Sequence, residues 1–140
     1  MRETEVLLDQ INRAFSGEAW HGPALRNLLD GVTERQAREH PIEMGHSIVE
    51  LVLHVAVWMD VVARRLNGEN VPGSSVTDWT DADGASWPAA IEVLERAQSR
   101  LCDSVARLGG DALRAKEPEI LGLLQHNAYH AGQIGILKKA

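Results

Sequence analysis

Ile120-Leu121-Gly122-Leu123-Leu124-Gln125-His126-Asn127-Ala128-Tyr129-His130-Ala131-Gly132-Gln133-Ile134-Gly135-Ile136-Leu137 is the stretch on which the reading of this chain turns. Ile120, Leu123, Leu124, Ile134 and Leu137 recur at helical spacing and form one apolar stripe, as in a helix that buries one face. His126 and His130 share that stripe. Four residues is about one turn, so both imidazoles leave the same face, some 40° apart around the axis and about 6 Å along it. A pair so placed can close on one metal ion with nitrogen–metal bonds of about 2.0–2.1 Å. Core-facing imidazoles need partners in any case, because an unsatisfied buried polar group costs about 1–3 kcal/mol. A metal ion, an acidic side chain or an internal water cluster would each serve. The zincin pattern is not met: Asn127 stands where H-E-x-x-H carries its catalytic Glu, so the motif contains no general base.

Helical periodicity recurs along the rest of the chain, and strand signals are almost absent. A first helix starts near Glu3, with Val6, Leu7, Ile11 and Phe15 on one stripe. Gly17 and Gly22-Pro23 interrupt it, and it resumes through Leu25, Leu28 and Leu29 to Gly31, with Pro23 suited to the first turn of that second piece. Thr33 with Gln36 has the form of a capping box for one short turn. A second long helix opens with a capping box, Ser47 with Glu50, and Gly68 lies where its C-terminal cap belongs. Ile48, Leu51, Val55, Trp58, Val62 and Leu66 make its stripe, and His54 lies on it. Residues 69 to 85 read as a loop, longer than bundle connections usually are, and so either mobile or functional. A third helix begins near Ser86, carries Ile91, Leu94, Leu101, Val105 and Leu108, and ends near Gly109-Gly110. The last runs from about Pro118 almost to the end of the chain. The expected architecture is an all-α, single-domain four-helix bundle over 1–140, with the long loop between its second and third helices.

Composition narrows the function classes. The 140 residues are 44% hydrophobic and 24% charged, with a formal net charge of −6 and no long basic run. Neither nucleic acid nor a membrane is therefore the expected partner. No apolar stretch reaches the roughly 18 residues needed to span a bilayer. The charged start, Met1-Arg2-Glu3-Thr4-Glu5, is unlike a signal peptide, so a cytoplasmic setting is expected. Cys102 is the single cysteine and reads as a packing residue in mid-helix, which excludes an internal disulfide and a Cys-type zinc site.

In a bundle, the stripes of the second and fourth helices face one core, so His54 can meet His126 and His130. Three neutral imidazoles leave coordination positions open, as a catalytic metal requires. Imidazole suits zinc, nickel, copper or iron.

Three segments together resemble the DinB/YfiT superfamily of metal-binding four-helix bundles: Trp20-His21-Gly22-Pro23, His46-Ser47-Ile48-Val49-Glu50-Leu51-Val52-Leu53-His54, and His126-Asn127-Ala128-Tyr129-His130-Ala131-Gly132-Gln133-Ile134. The resemblance spans nearly the whole chain in order and spacing. It implies a divalent metal, zinc or nickel foremost, held by His54, His126 and His130. It also implies a homodimer. Characterised relatives include thiol-dependent transferases and isomerases that use bacillithiol or mycothiol, so the resemblance implies a metal-dependent transferase or hydrolase acting on a small molecule, with a low-molecular-weight thiol as cofactor. The alternative is a non-catalytic metal- or ligand-binding module of a stress response.

Secondary candidates surround the triad. His21 is the one candidate catalytic residue beyond the ligands, as a proton shuttle or substrate contact at the mouth of the site; the alternative is a loop histidine satisfied by backbone. Glu50 has a sufficient structural role in its capping box, although it lies one turn before His54. Gln133 lies one turn beyond His130 and is a candidate for supporting it. Tyr129 points about 100° away from both histidines and is expected to pack; His40 and His46 read as loop residues. Trp20, Trp58, Trp79 and Trp87 are expected as core or loop anchors, with Trp79 placed to line a pocket or a dimer contact. Gly122, Gly132 and Gly135 lie inside the last helix at about 1 kcal/mol each against Ala, which the close approach of another helix would explain.

Overall fold

The computed structural model describes residues 2–140 and contains helices, turns and loops with no strand among them. Four long helices carry the core: α1 (Glu3–Ser16), α4 (Ile48–Leu66), α5 (Trp87–Ala106) and α6 (Gly110–Leu137). Two short ones, α2 (Leu25–Leu28) and α3 (Glu34–Arg38), bridge α1 to α4. Helix α4 packs against both α5 and α6, and α1 also packs against both. The expected four-helix bundle is therefore present, with α1 and α4 at opposite corners. Leu51, Val52 and Val55 of α4, Leu94 and Leu101 of α5, and Ile120 and Ile134 of α6 are almost wholly buried in one shared core. Each such side chain contributes about 1.5–3 kcal/mol by leaving water.

The helix ends follow their local chemistry. Ser47 Oγ accepts from the Glu50 N–H at 3.3 Å, and the Glu50 carboxylate accepts from the Ser47 N–H at 3.1 Å, completing the expected capping box. Helix α4 stops at Leu66, and Gly68 turns the chain with φ +91°, a left-handed conformation that suits glycine. Thr33 caps α3 by accepting from the Gln36 N–H. The Gln36 side chain does not return to close a box; it donates to the Lys138 carbonyl at the end of α6.

Two boundaries differ from expectation. Helix α6 begins at Gly110, eight residues before Pro118, which sits inside it. Proline in a helix interior costs about 3 kcal/mol in lost hydrogen bonding and crowding. Leu113 and Ile120 are both 1% exposed on either side of it, so tertiary burial holds the turns that local preference would end. Pro23 lies before α2, whose N-cap is Ala24, rather than in its first turn.

The glycines of α6 are not explained by a neighbouring helix of this chain. A Cβ on Gly122 or Gly132 would meet nothing within 4 Å, and one on Gly135 would meet only Leu28 Cδ2 at 3.8 Å. Gly122→Ala is therefore expected to stabilise the protein by about 1 kcal/mol, read as a higher urea midpoint at unchanged slope. A lower midpoint would show that something presses on this face. Among the tryptophans, Trp87 is 4% exposed and Trp20 is 100% exposed, so Trp20 is no anchor within the chain.

No helix of the described residues is long and apolar enough to cross a membrane.

Candidate metal centre

Helices α4 and α6 bring His54, His126 and His130 together so that one ligand nitrogen from each lies within 4.8 Å of the other two. His54 and His130 are buried, and His126 is half-buried. The Nε2 atoms of His54 and His126 are 3.0 Å apart. Ring centroids of the three lie 4.5–4.9 Å from one another.

The opposite nitrogen of every ring is already committed. His54 Nδ1–H donates to the Asp78 carbonyl at 2.8 Å, with the Asp78 carboxylate 3.3 Å away. His126 Nδ1–H donates to Asn127 Oδ1 at 3.1 Å, and His130 Nδ1–H to Gln133 Oε1 at 2.6 Å. An oxygen acceptor on each Nδ1 selects the tautomer whose bare Nε2 carries the lone pair. Three lone pairs then converge with no proton between them. Two ligands on one tetrahedral ion at bonds of about 2.0–2.1 Å stand ~3.3 Å apart, close to the observed spacing. The donor set therefore fits a divalent cation.

Burial pushes the His126 and His130 imidazoles below the ordinary histidine value; hydrogen bonds to Asn127 and Gln133 oppose this, while the neighbouring imidazoles add to it. Both rings are accordingly neutral at neutral pH, the form that binds metal. Loss of the acceptor on His130 would free its ring to rotate. Gln133→Leu is expected to weaken zinc binding about 10–100-fold, measured by competition with a chelating dye. Unchanged affinity would mean that packing alone holds the ring.

The loop between α4 and α5 is part of this centre. Its Asp78 caps His54 through the main chain and accepts from Trp58 Nε1 at 2.6 Å through the side chain. Trp79 inserts between two histidines, stacked on His54 at 3.8 Å and on His46 at 3.5 Å, with interplanar angles of 5° and 8°. His46 is in turn held by Glu50, whose two carboxylate oxygens accept from His46 Nδ1–H and His40 Nε2–H at 3.0 Å each. Burial raises the Glu50 pKa, but hydrogen bonds from His40, the Ser47 N–H and His46 outweigh it, leaving Glu50 below its ordinary 4.5.

A carboxylate depressed on folding adds stability that is complete above 4.5 and is lost as pH falls through the lower, folded-state value. Urea midpoints of the wild type should fall more steeply below pH 4.5 than those of Glu50→Gln. Parallel curves would contradict the depression.

Several expectations need correction. Tyr129 does not pack into the core; it is 67% exposed and lies edge-on to His130 at 5.2 Å. His46 is more than a loop residue, since it ends the stack that supports His54. Asp78 gave no sequence signal, because its closest contact with His54 is made by a main-chain carbonyl that any residue could present. Asn127, noted only as the missing zincin Glu, orients His126. His21 is exposed and is not a member of the histidine cluster; it borders hollows with Ala128 on one side and with Ala131 and Gly132 on the other. Cys102 lies on α5 near Asn12 and Gln98, and burial raises its thiol pKa, in keeping with a packing role.

A protein-family model described as the DinB superfamily matches residues 19–134 of the 140-residue chain. No curated protein and no solved structure matches the chain.

Proposed function

From the premise that this chain belongs to the DinB superfamily, we propose that it is a metal-dependent enzyme, a transferase or hydrolase acting on a small molecule. His54, His126 and His130 would hold one divalent ion, zinc or nickel, through Nε2. One observation carries this reading: each ring's Nδ1 faces an oxygen acceptor, while one nitrogen of each ring lies within 4.8 Å of the other two, with the Nε2 atoms of His54 and His126 3.0 Å apart.

When bound, the ion would supply Lewis acidity and make a water or a thiol nucleophilic at neutral pH. The chain's own residues have separate work. Asp78, Asn127 and Gln133 fix the three tautomers, and Trp79 keeps the His54 ring flat against the loop. Cys102 stands with Asn12 and Gln98, outside the histidine cluster, so a thiol nucleophile would come from a low-molecular-weight cofactor.

Metal analysis after zinc loading and desalting tests the centre: about one ion per chain is expected, and none retained would overturn it. A panel of low-molecular-weight thiols with electrophilic small molecules, run on the loaded protein, tests the chemistry. Turnover with any pair supports an enzyme. Tight metal binding without turnover or ligand-dependent change would favour the non-catalytic module.

A further inference from the structure

Beside the histidine centre lies a hollow of about 250 Å³ that the metal reading leaves unused. Ile42 and Met44, on the segment before α4, and Ile136, near the end of α6, border it, and they are 52%, 94% and 65% exposed. Large apolar side chains standing in water around one concavity are costly unless something covers them. The turn that presents Ile42 and Met44 is closed by the Gly45 N–H donating to the Ile42 carbonyl at 2.9 Å. A Cβ on Gly45 would press on Ile42 Cβ at 3.2 Å, so glycine allows this close return.

The remaining wall adds Leu51 and Leu137 and two polar side chains that lead to the metal centre. It contains His46, which stacks on the tryptophan that stacks on His54, and Gln133, which accepts from His130. Because His46 Nδ1–H is given to Glu50, its Nε2 is a bare acceptor. Gln133 spends its oxygen on His130 and keeps its amide N–H groups as donors. One acceptor and one donor therefore stand beside an apolar hollow too small for a large ligand.

We propose that this hollow binds the aliphatic portion of a small amphipathic molecule, with a head that both donates and accepts hydrogen bonds placed at His46 and Gln133. The apolar part lies against Ile42, Met44 and Ile136. As the substrate subsite of the metal centre, it rests on the reading proposed above; as a binding site, it stands on its own residues.

Straight-chain primary amides, butanamide to octanamide, test it on zinc-free protein by side-chain methyl NMR. The Ile42, Met44 and Ile136 methyl signals should move together, and affinity should rise about two- to fourfold per methylene until the hollow is full. Met44→Ser and Ile136→Ser should each flatten that rise while leaving zinc stoichiometry unchanged. Shifts centred elsewhere, or affinity independent of chain length, overturn the proposal. The zinc-loaded protein is titrated in parallel with the matching hydroxamates, whose head binds metal. Amide binding without zinc retention would leave the hollow standing and remove the metal reading; zinc retention without amide binding would do the reverse.

Discussion

His130→Ala is expected to retain no zinc through desalting, against about one ion per chain in the wild type. His130 is one of three converging donors, and the residue is 7% exposed, so water does not readily take its place with the same geometry. Disturbing a residue that merely supports a metal ligand typically costs 10–100-fold in affinity, and removing a ligand outright should exceed about 100-fold. The same loss should appear in stability. An ion at about 1,000 times its dissociation constant adds about 4 kcal/mol to the folded state. For a chain of this size that corresponds to a rise in Tm of roughly 10 °C. The wild type should show that rise on zinc addition and the variant should not. Without metal, the variant should remain helical by circular dichroism, since the exchange also removes one of three opposed lone pairs. Equal zinc content and equal thermal shifts in the two proteins would remove His130 from the site.

The largest loss of stability is expected at Trp87, about 3–5 kcal/mol for Trp87→Ala. This side chain opens α5 and is 4% exposed. Its indole N–H donates to the Val32 carbonyl at 2.9 Å, and its main-chain N–H donates to Glu34 at 2.7 Å. It therefore pins the start of α5 to the segment that carries α2 and α3. Alanine would leave a cavity and strand the Val32 carbonyl. Phenylalanine would keep much of the packing and lose only the indole donor, at about 1–3 kcal/mol. Urea unfolding of the two variants separates these contributions. A cost under about 1 kcal/mol for the alanine variant would mean that this corner relaxes freely.

The bundle and the triad were legible because both depend on periodicity within single helices. His54 lies on the stripe of Leu51, Val55 and Trp58, and His126 and His130 on that of Ile120, Leu123 and Ile134. Once stripes face one core, residues on them can meet, and the family resemblance picked out which three do. Loop contributions were not legible in this way. Asp78 acts on His54 from 24 positions away through a carbonyl, and Trp79 reaches between His54 and His46 on a segment with no periodicity to read. The start of α6 was misplaced for a related reason: Pro118 is a strong local signal, and only the burial of Leu113 shows that it is overridden.

By itself the sequence determined the all-helical class, the capping of α4 by Ser47 and Glu50, and that three imidazoles lie on core-facing stripes. These follow from spacing of 3.6 residues per turn and from short-range hydrogen bonds, both carried by neighbours in the chain. Only the tertiary structure decided which nitrogen of each ring turns inward, because that choice belongs to Asp78, Asn127 and Gln133. It also decided that His46 joins the centre while His21 lies outside the histidine cluster, and that Ile42, Met44 and Ile136 share one hollow. Those outcomes depend on how helices and loops meet in space, and no periodicity along the chain encodes such meetings.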